Sequence, residues 1–147
     1  MHFKTGMVSD SFTVKVDRQD IQNFARSIKN RNQLHYDLET AKKAGFPDII
    51  APPTLPILFW QNAKLDWLEQ VEAPLIHGEQ KFTYIKRIVA GDIYKCRIFL
   101  KDVMKKQGST SVIWILKHVL EGYQNERLCF TSETTLILRE LDENEVE

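Results

Sequence analysis

Leu55-Pro-Ile-Leu-Phe-Trp-Gln-Asn-Ala-Lys-Leu-Asp-Trp-Leu68 is the most apolar helical stretch in the chain. Its first half carries Ile57, Leu58, Phe59 and Trp60 in a row, which leaves almost no polar face for solvent. A helix that is apolar on nearly all sides is a buried helix. Pro52 and Pro53 suit its entrance, where missing N–H groups cost little. Pro56 is tolerated only within the first turn. The pattern predicts one buried helix over residues 55–68, for which the rest of the chain must provide cover.

Most of that cover lies downstream. Residues 78–88 alternate through Phe82 and Tyr84, and Ala90-Gly-Asp92 supplies a turn. Residues 93–104, 109–123 and 128–141 read as three long strands, separated by Lys105-Lys-Gln-Gly108 and Gly122-Tyr-Gln-Asn125. Upstream, Phe12-Thr-Val-Lys-Val16 alternates as a short strand. Residues 18–28 then place Ile21, Phe24, Ala25 and Ile28 at helical spacing behind the N-cap candidate Asp17. Residues 38–44 give one or two helical turns that end at Gly45. An antiparallel sheet with one apolar face satisfies it by wrapping around the buried helix. The expected layout is α+β, a single domain over residues 1–147.

Composition narrows the function. A chain of 147 residues buries enough surface to fold without a disulfide or a metal. Lysine plus arginine and aspartate plus glutamate both number 20, so the basic excess of a duplex nucleic-acid binder is missing. Cys96 and Cys129 sit in apolar, strand-like sequence and read as buried thiols. No Cys or His spacing suggests a metal site. Residues 1–11 lack the apolar core of a signal peptide, and no apolar run reaches membrane-spanning length. A cytoplasmic protein with no nucleic-acid or membrane partner is expected.

Three stretches resemble the MaoC-like hydratases, and among them the FAS1-like dehydratase N-terminal domain. They are Phe24-Ala-Arg-Ser-Ile-Lys-Asn-Arg-Asn-Gln-Leu-His-Tyr-Asp37, Ala44-Gly-Phe-Pro-Asp-Ile-Ile-Ala-Pro-Pro-Thr54, and Ile76-His-Gly-Glu-Gln-Lys-Phe-Thr-Tyr84 with Ile88-Val-Ala-Gly-Asp92. The resemblance implies a hot-dog fold, an antiparallel sheet wrapped around a central α-helix, that pairs as a homodimer or with a related hot-dog subunit. It also implies an acyl thioester on coenzyme A or acyl carrier protein, no cofactor, and a place in fatty acid metabolism. The implied reaction is (R)-specific hydration of a trans-2-enoyl thioester, or dehydration of the 3-hydroxyacyl form. In active members an Asp and a His hold one water, whose oxygen goes to C3 while a proton goes to C2.

Carried over by position, the family His falls on His35 and the family Asp on Asn30. An asparagine holds a water but does not exchange a proton with it near neutral pH. Lys29 and Gln33 also depart from the Gly and Pro usual nearby. Outside the resemblance, His35 reads as an exposed loop residue and Asn30 as a turn former. Ala51 and Thr54 are the backbone donors left at an entrance where Pro52 and Pro53 carry none, so they and Asp48 are the substrate-binding candidates. Asp37 and Asp48 are the nearest carboxylates to replace the missing one, although each also suits a turn. His77 reads as structural or interfacial, and His118 and Trp114 as sheet packing. Two alternatives stand beside the hydratase. One is a non-catalytic acyl-thioester-binding partner subunit. The other is a hot-dog thioesterase, with Asp48 or Glu69 activating water.

Overall fold

The computed structural model describes residues 2–141. Helix α1 (Arg18–Ser27) begins where the sequence places it. Asp17 Oδ1 accepts from the Asp20 N–H at 2.9 Å, and Asp20 Oδ2 accepts from the Asp17 N–H at 3.1 Å. This reciprocal pair satisfies two backbone donors that a helix start leaves without partners. The helix buries Ile21, Phe24 and Ala25. It ends with Lys29 at φ 57°, so that Lys29 N–H bonds Arg26 O at 3.0 Å and Asn30 N–H bonds Ala25 O at 2.9 Å. That left-handed closing residue is usually glycine. Helix α2 (Leu38–Lys43) is capped by Asp37 and turns out at Gly45, φ 95°.

Five strands form one antiparallel sheet: β1 (Phe12–Lys15), β2 (Ile76–Tyr84), β3 (Ile93–Gln107), β4 (Ser111–Gln124) and β5 (Arg127–Leu141). Their order across the sheet is β1-β3-β4-β5-β2. Strands β4 and β5 are joined by Asn125 and Glu126, with φ 48° and 63°. Two consecutive positive values suit a tight hairpin, because that turn matches the twist of the strands it joins. Gly122 therefore lies within β4, not in a turn as its residue type suggests. It pairs with Phe130 on β5, and a Cβ at Gly122 would lie 2.2 Å from the Phe130 ring. The glycine is needed for ring space rather than for backbone freedom.

Every second residue of β4 faces inward, giving the row Val112, Trp114, Leu116, His118, Leu120. The segment that covers this face differs from the sequence expectation. Residues 55–68 are not one α-helix. A 3-10 helix, Leu55–Asn62, is followed by extended chain and one turn of α3 (Asp66–Glu69). Pro56 sits in the first turn of the 3-10 helix, and Ile57 N–H bonds back to Thr54 O, three residues away. Three aromatic or β-branched side chains in residues 57–60, all weak α-helix formers, give little incentive to relax into the α form. The segment is nonetheless central: Leu55 and Phe59 are buried, and Phe59 meets Phe130 edge-on at 5.9 Å. Trp67 and Leu68 join this core to a second one built from Phe3, Leu100, Trp114, Leu116 and Leu138. A curled antiparallel sheet around a central helical segment is the hot-dog arrangement. Cys96 and Cys129 are free and buried within it, and burial pushes the Cys96 thiol up to about 12.

Candidate functional site

His35 closes a short 3-10 helix, Gln33–His35, whose start is capped by Asn32 Oδ1 on Leu34 N–H at 3.1 Å. The side chain is buried, with 4% of its surface exposed, which a polar loop does not foretell. Its Nδ1 lies 2.6 Å from Ile50 O, and Ile50 N–H donates to Leu34 O at 3.0 Å. A carbonyl only accepts, so Nδ1 carries the proton in this bond. The neutral ring then keeps its Nε2 lone pair, which takes no partner among the described residues. The Ile50 strap is itself fixed, since Ala51 N–H bonds Ile88 O and Ala90 N–H bonds Ile49 O, both at 2.9 Å.

Asn30 opens the same loop. Its Oδ1 accepts from Asn32 N–H at 2.9 Å, and its carbonyl accepts from the Tyr36 hydroxyl. Gln22 Nε2 donates to Tyr36 O at 3.1 Å, so α1 braces the far end of the loop. The Tyr36 hydroxyl thus ties the two ends of residues 30–36 together. Neither Tyr36 nor Ile50 is marked in sequence as part of this constellation, because one acts through a contact six residues back and the other through its backbone.

At the entrance before the 3-10 helix, the Ala51 donor is engaged by Ile88 O, and Leu55 N–H bonds Pro52 O at 3.0 Å. Thr54 is exposed, and its N–H makes no hydrogen bond among the described residues. A cleft of about 180 Å³ is lined by Ala51, Pro53, Tyr84, Arg87 and Ile88. The Tyr84 hydroxyl donates to Pro53 O at 2.5 Å, and burial pushes that hydroxyl pKa up.

The neighbouring carboxylates have other partners. Asp48 binds the Arg18 guanidinium through both oxygens, at 3.0 and 2.9 Å, and this pairing holds its pKa below the ordinary value. Asp37 caps α2 through Thr40, whose hydroxyl lies 2.6 Å away; that hydrogen bond lowers its pKa too. Glu69 lies exposed on α3, 3.8 Å from Lys64. Both aspartates are thus poor proton carriers near neutrality. His77 is exposed on β2, with Nε2 2.9 Å from Gln80 Oε1. His118 packs in the sheet as expected, stacked on Trp67. No cluster of three or more His, Cys, Asp or Glu side chains among the described residues could hold a metal. No helix among them is long and apolar enough to cross a membrane.

Residues 4–130 match the family described as FAS1-like, dehydratase domain region. The chain belongs to this family. FAS1-like relatives include a UPF0336 protein of Saccharopolyspora erythraea, 33% identical over 130 residues that span 85% of this chain and 81% of the relative. A UPF0336 protein of Thermobifida fusca is 35% identical over 130 residues, 85% of this chain and 84% of that one. Among solved structures, the HadBC (3R-hydroxyacyl-ACP dehydratase) complex of Mycobacterium tuberculosis superposes with a TM-score of 0.75 at 23% identity. That match covers 90% of this chain and 96% of the other. The R-hydratase PhaJ1 of Pseudomonas aeruginosa gives 0.62 at 18%, over 92% and 82%. The ChsH1–ChsH2 complex of Mycobacterium tuberculosis gives 0.67 at 18%, over 89% and 88%. At these identities the structures establish the hot-dog fold of this FAS1-like chain.

Proposed function

We propose that this chain binds an acyl thioester, on coenzyme A or acyl carrier protein, and serves in hydration of the trans-2-enoyl form or the reverse dehydration. It does so with a related hot-dog subunit that supplies the missing carboxylate. One observation carries the reading: His35 is buried and oriented by Ile50 O with Nε2 free; the resemblance puts the position of its acid–base partner at Asn30, a neutral side chain. Nε2 can take a proton from a water attacking C3. The Thr54 N–H is placed to polarise the thioester carbonyl, with Ala51 and Asp48 shaping the backbone around it. The second proton movement, to C2, has no evident donor here.

A partner subunit is supported by the edge of the sheet. Strand β2 pairs only with β5 among the described residues, and Leu75, Ile76 and Ile85 nearby are 40%, 60% and 73% exposed. A long open edge with apolar side chains favours being covered. HadBC and ChsH1–ChsH2, both similar in fold, are complexes. A cytoplasmic setting fits this role. A second reading, a partner that binds thioester without chemistry, is favoured by the same Asn30.

Loss of enoyl absorbance from crotonyl-CoA tests the proposal, with the chain alone and mixed with a hot-dog subunit that keeps both Asp and His. The chain alone should be slower by about 10²- to 10⁴-fold, the usual cost of a missing acid–base group. Equal rates with and without the partner would overturn the shared-site reading. Failure to bind any acyl-CoA would overturn the thioester reading itself.

A further inference from the structure

Strand register lays an apolar row across the outer face of the sheet. Met104 on β3 lies opposite Ile115 on β4, Ile115 opposite Ile137 on β5, and Ile137 opposite Ile76 on β2. Along their strands these residues alternate with Val103, Trp114, Leu116 and Leu138 of the second core, so their side chains point away from it. Met104 and Ile76, at the two ends of the row, are 47% and 60% exposed, and the two isoleucines between them are half-buried. The outward face of an antiparallel sheet is ordinarily polar. A contiguous apolar patch there, rimmed by polar residues, marks an interaction surface.

The rows on either side of it carry charge. Nearer the β3–β4 hairpin run Lys106, Ile113 and Arg139. On the other side run Asp102, Lys117, Thr135 and Glu79. Lys106, Arg139, Asp102 and Glu79 form no ion pair among the described residues, whereas further along the same face Arg97 pairs with Glu121 at 2.8 Å and Lys101 with Glu133 at 2.6 Å.

We propose that this row is a contact face for a second copy of the same chain, related by a two-fold axis that runs along the row. Such an axis lays each row residue against its own counterpart and exchanges the two flanking rows. Lys106 then faces Asp102 of the second copy, and Arg139 faces Thr135 of the second copy with Glu79 on the adjoining strand. Lys117 meets Ile113, over which its methylene stem lies with the ammonium at the rim. The two sheets stack at about 10 Å, the ordinary spacing of packed sheets. Flanks that complement each other across the row are what a copy of the same surface requires. The contact uses side chains of the face, and the pairing invoked above uses the backbone edge of β2, so one does not exclude the other. This inference is independent of the thioester reading. The row spans four strands, roughly 15 Å at a strand spacing of about 4.8 Å. That is small for a stable interface, so the association should be weak and show at about 10–100 μM chain.

Sedimentation velocity of the full chain from about 1 to 100 μM at low ionic strength tests it. The weight-average mass of the wild type should rise across that range. Ile115→Lys should abolish the part of the rise that this face supplies. Asp102→Lys sets lysine against Lys106 of the second copy and should weaken association about tenfold, as should Lys106→Asp. The double variant, Asp102→Lys with Lys106→Asp, only exchanges the pair and should restore association to within about twofold of wild type. These surface substitutions keep the test open if Ile115→Lys does not fold. A mass that stays constant with concentration would overturn the proposal. So would a rise identical in all the variants, the result expected of pairing through the β2 edge alone, or a double variant that shows no rescue. A rise that begins only once the acidic residues 142–147 are removed would assign the row to the chain's own end and overturn it too.

Discussion

His35 and Ile50 are fifteen residues apart and joined ring to backbone, Nδ1 to carbonyl oxygen, at 2.6 Å. The bond fixes the tautomer of the histidine and fastens the loop of residues 30–36 to the strap that leads into the 3-10 helix. Orientation of the ring and stability of the loop therefore depend on one contact. Ile50 is 1% exposed, so its carbonyl has no ready access to water if the ring is removed. His35→Ala should lower unfolding free energy by about 1–3 kcal/mol, the cost of a buried group left unpaired. His35→Asn, whose amide can place a donor near Nδ1, should recover part of that loss. Urea denaturation of the two variants checks this.

Lys29 holds a left-handed conformation at the end of α1, with φ 57°. A side chain there costs roughly 1 kcal/mol relative to glycine. Lys29→Gly should raise stability by about that amount, while Lys29→Ala should not. Thermal unfolding distinguishes them.

Gly122→Ala puts a methyl group into the Phe130 ring. Overpacking of this kind typically costs 1–3 kcal/mol. Adding Phe130→Leu should relieve part of the clash, so the double variant should be more stable than the sum of the single losses predicts. A double-mutant cycle in urea measures that coupling.

Burial lowers the His118 pKa from 6.5 to about 4. A group with a depressed folded pKa binds its proton more readily when unfolded, so its contribution to stability is complete above about pH 6.5 and is lost as pH falls toward 4. The loss should approach about 3 kcal/mol. The drop in stability over that window should be smaller in His118→Gln, and paired denaturation curves across it give the difference.

The strands and α1 are legible in sequence because alternation, the Asp17 cap and Gly45 act locally. Residues 55–68 are legible as a core segment through Leu55, Phe59 and Leu65, but Ile57 is 38% exposed and the segment is a 3-10 helix: apolar crowding does not report which side faces in, and the Thr54-to-Ile57 bond depends on how the segment meets Phe130. Gly122 misleads because its reason is a ring on the next strand. At the site, motif order points to Asn30 and His35, but the roles of the Ile50 carbonyl and the Tyr36 hydroxyl show only in the folded chain. Backbone engagement of Ala51 is equally invisible, since any residue type can donate that hydrogen.

The missing carboxylate at Asn30 is the point on which the functional reading turns, and crotonyl-CoA hydration by Asn30→Asp tests it most directly. The substitution should raise the rate of the isolated chain by about 10²-fold or more, in the range of an acid–base group restored, and adding His35→Ala should abolish the gain. Rapid hydration by the wild-type chain that survives His35→Ala would contradict it.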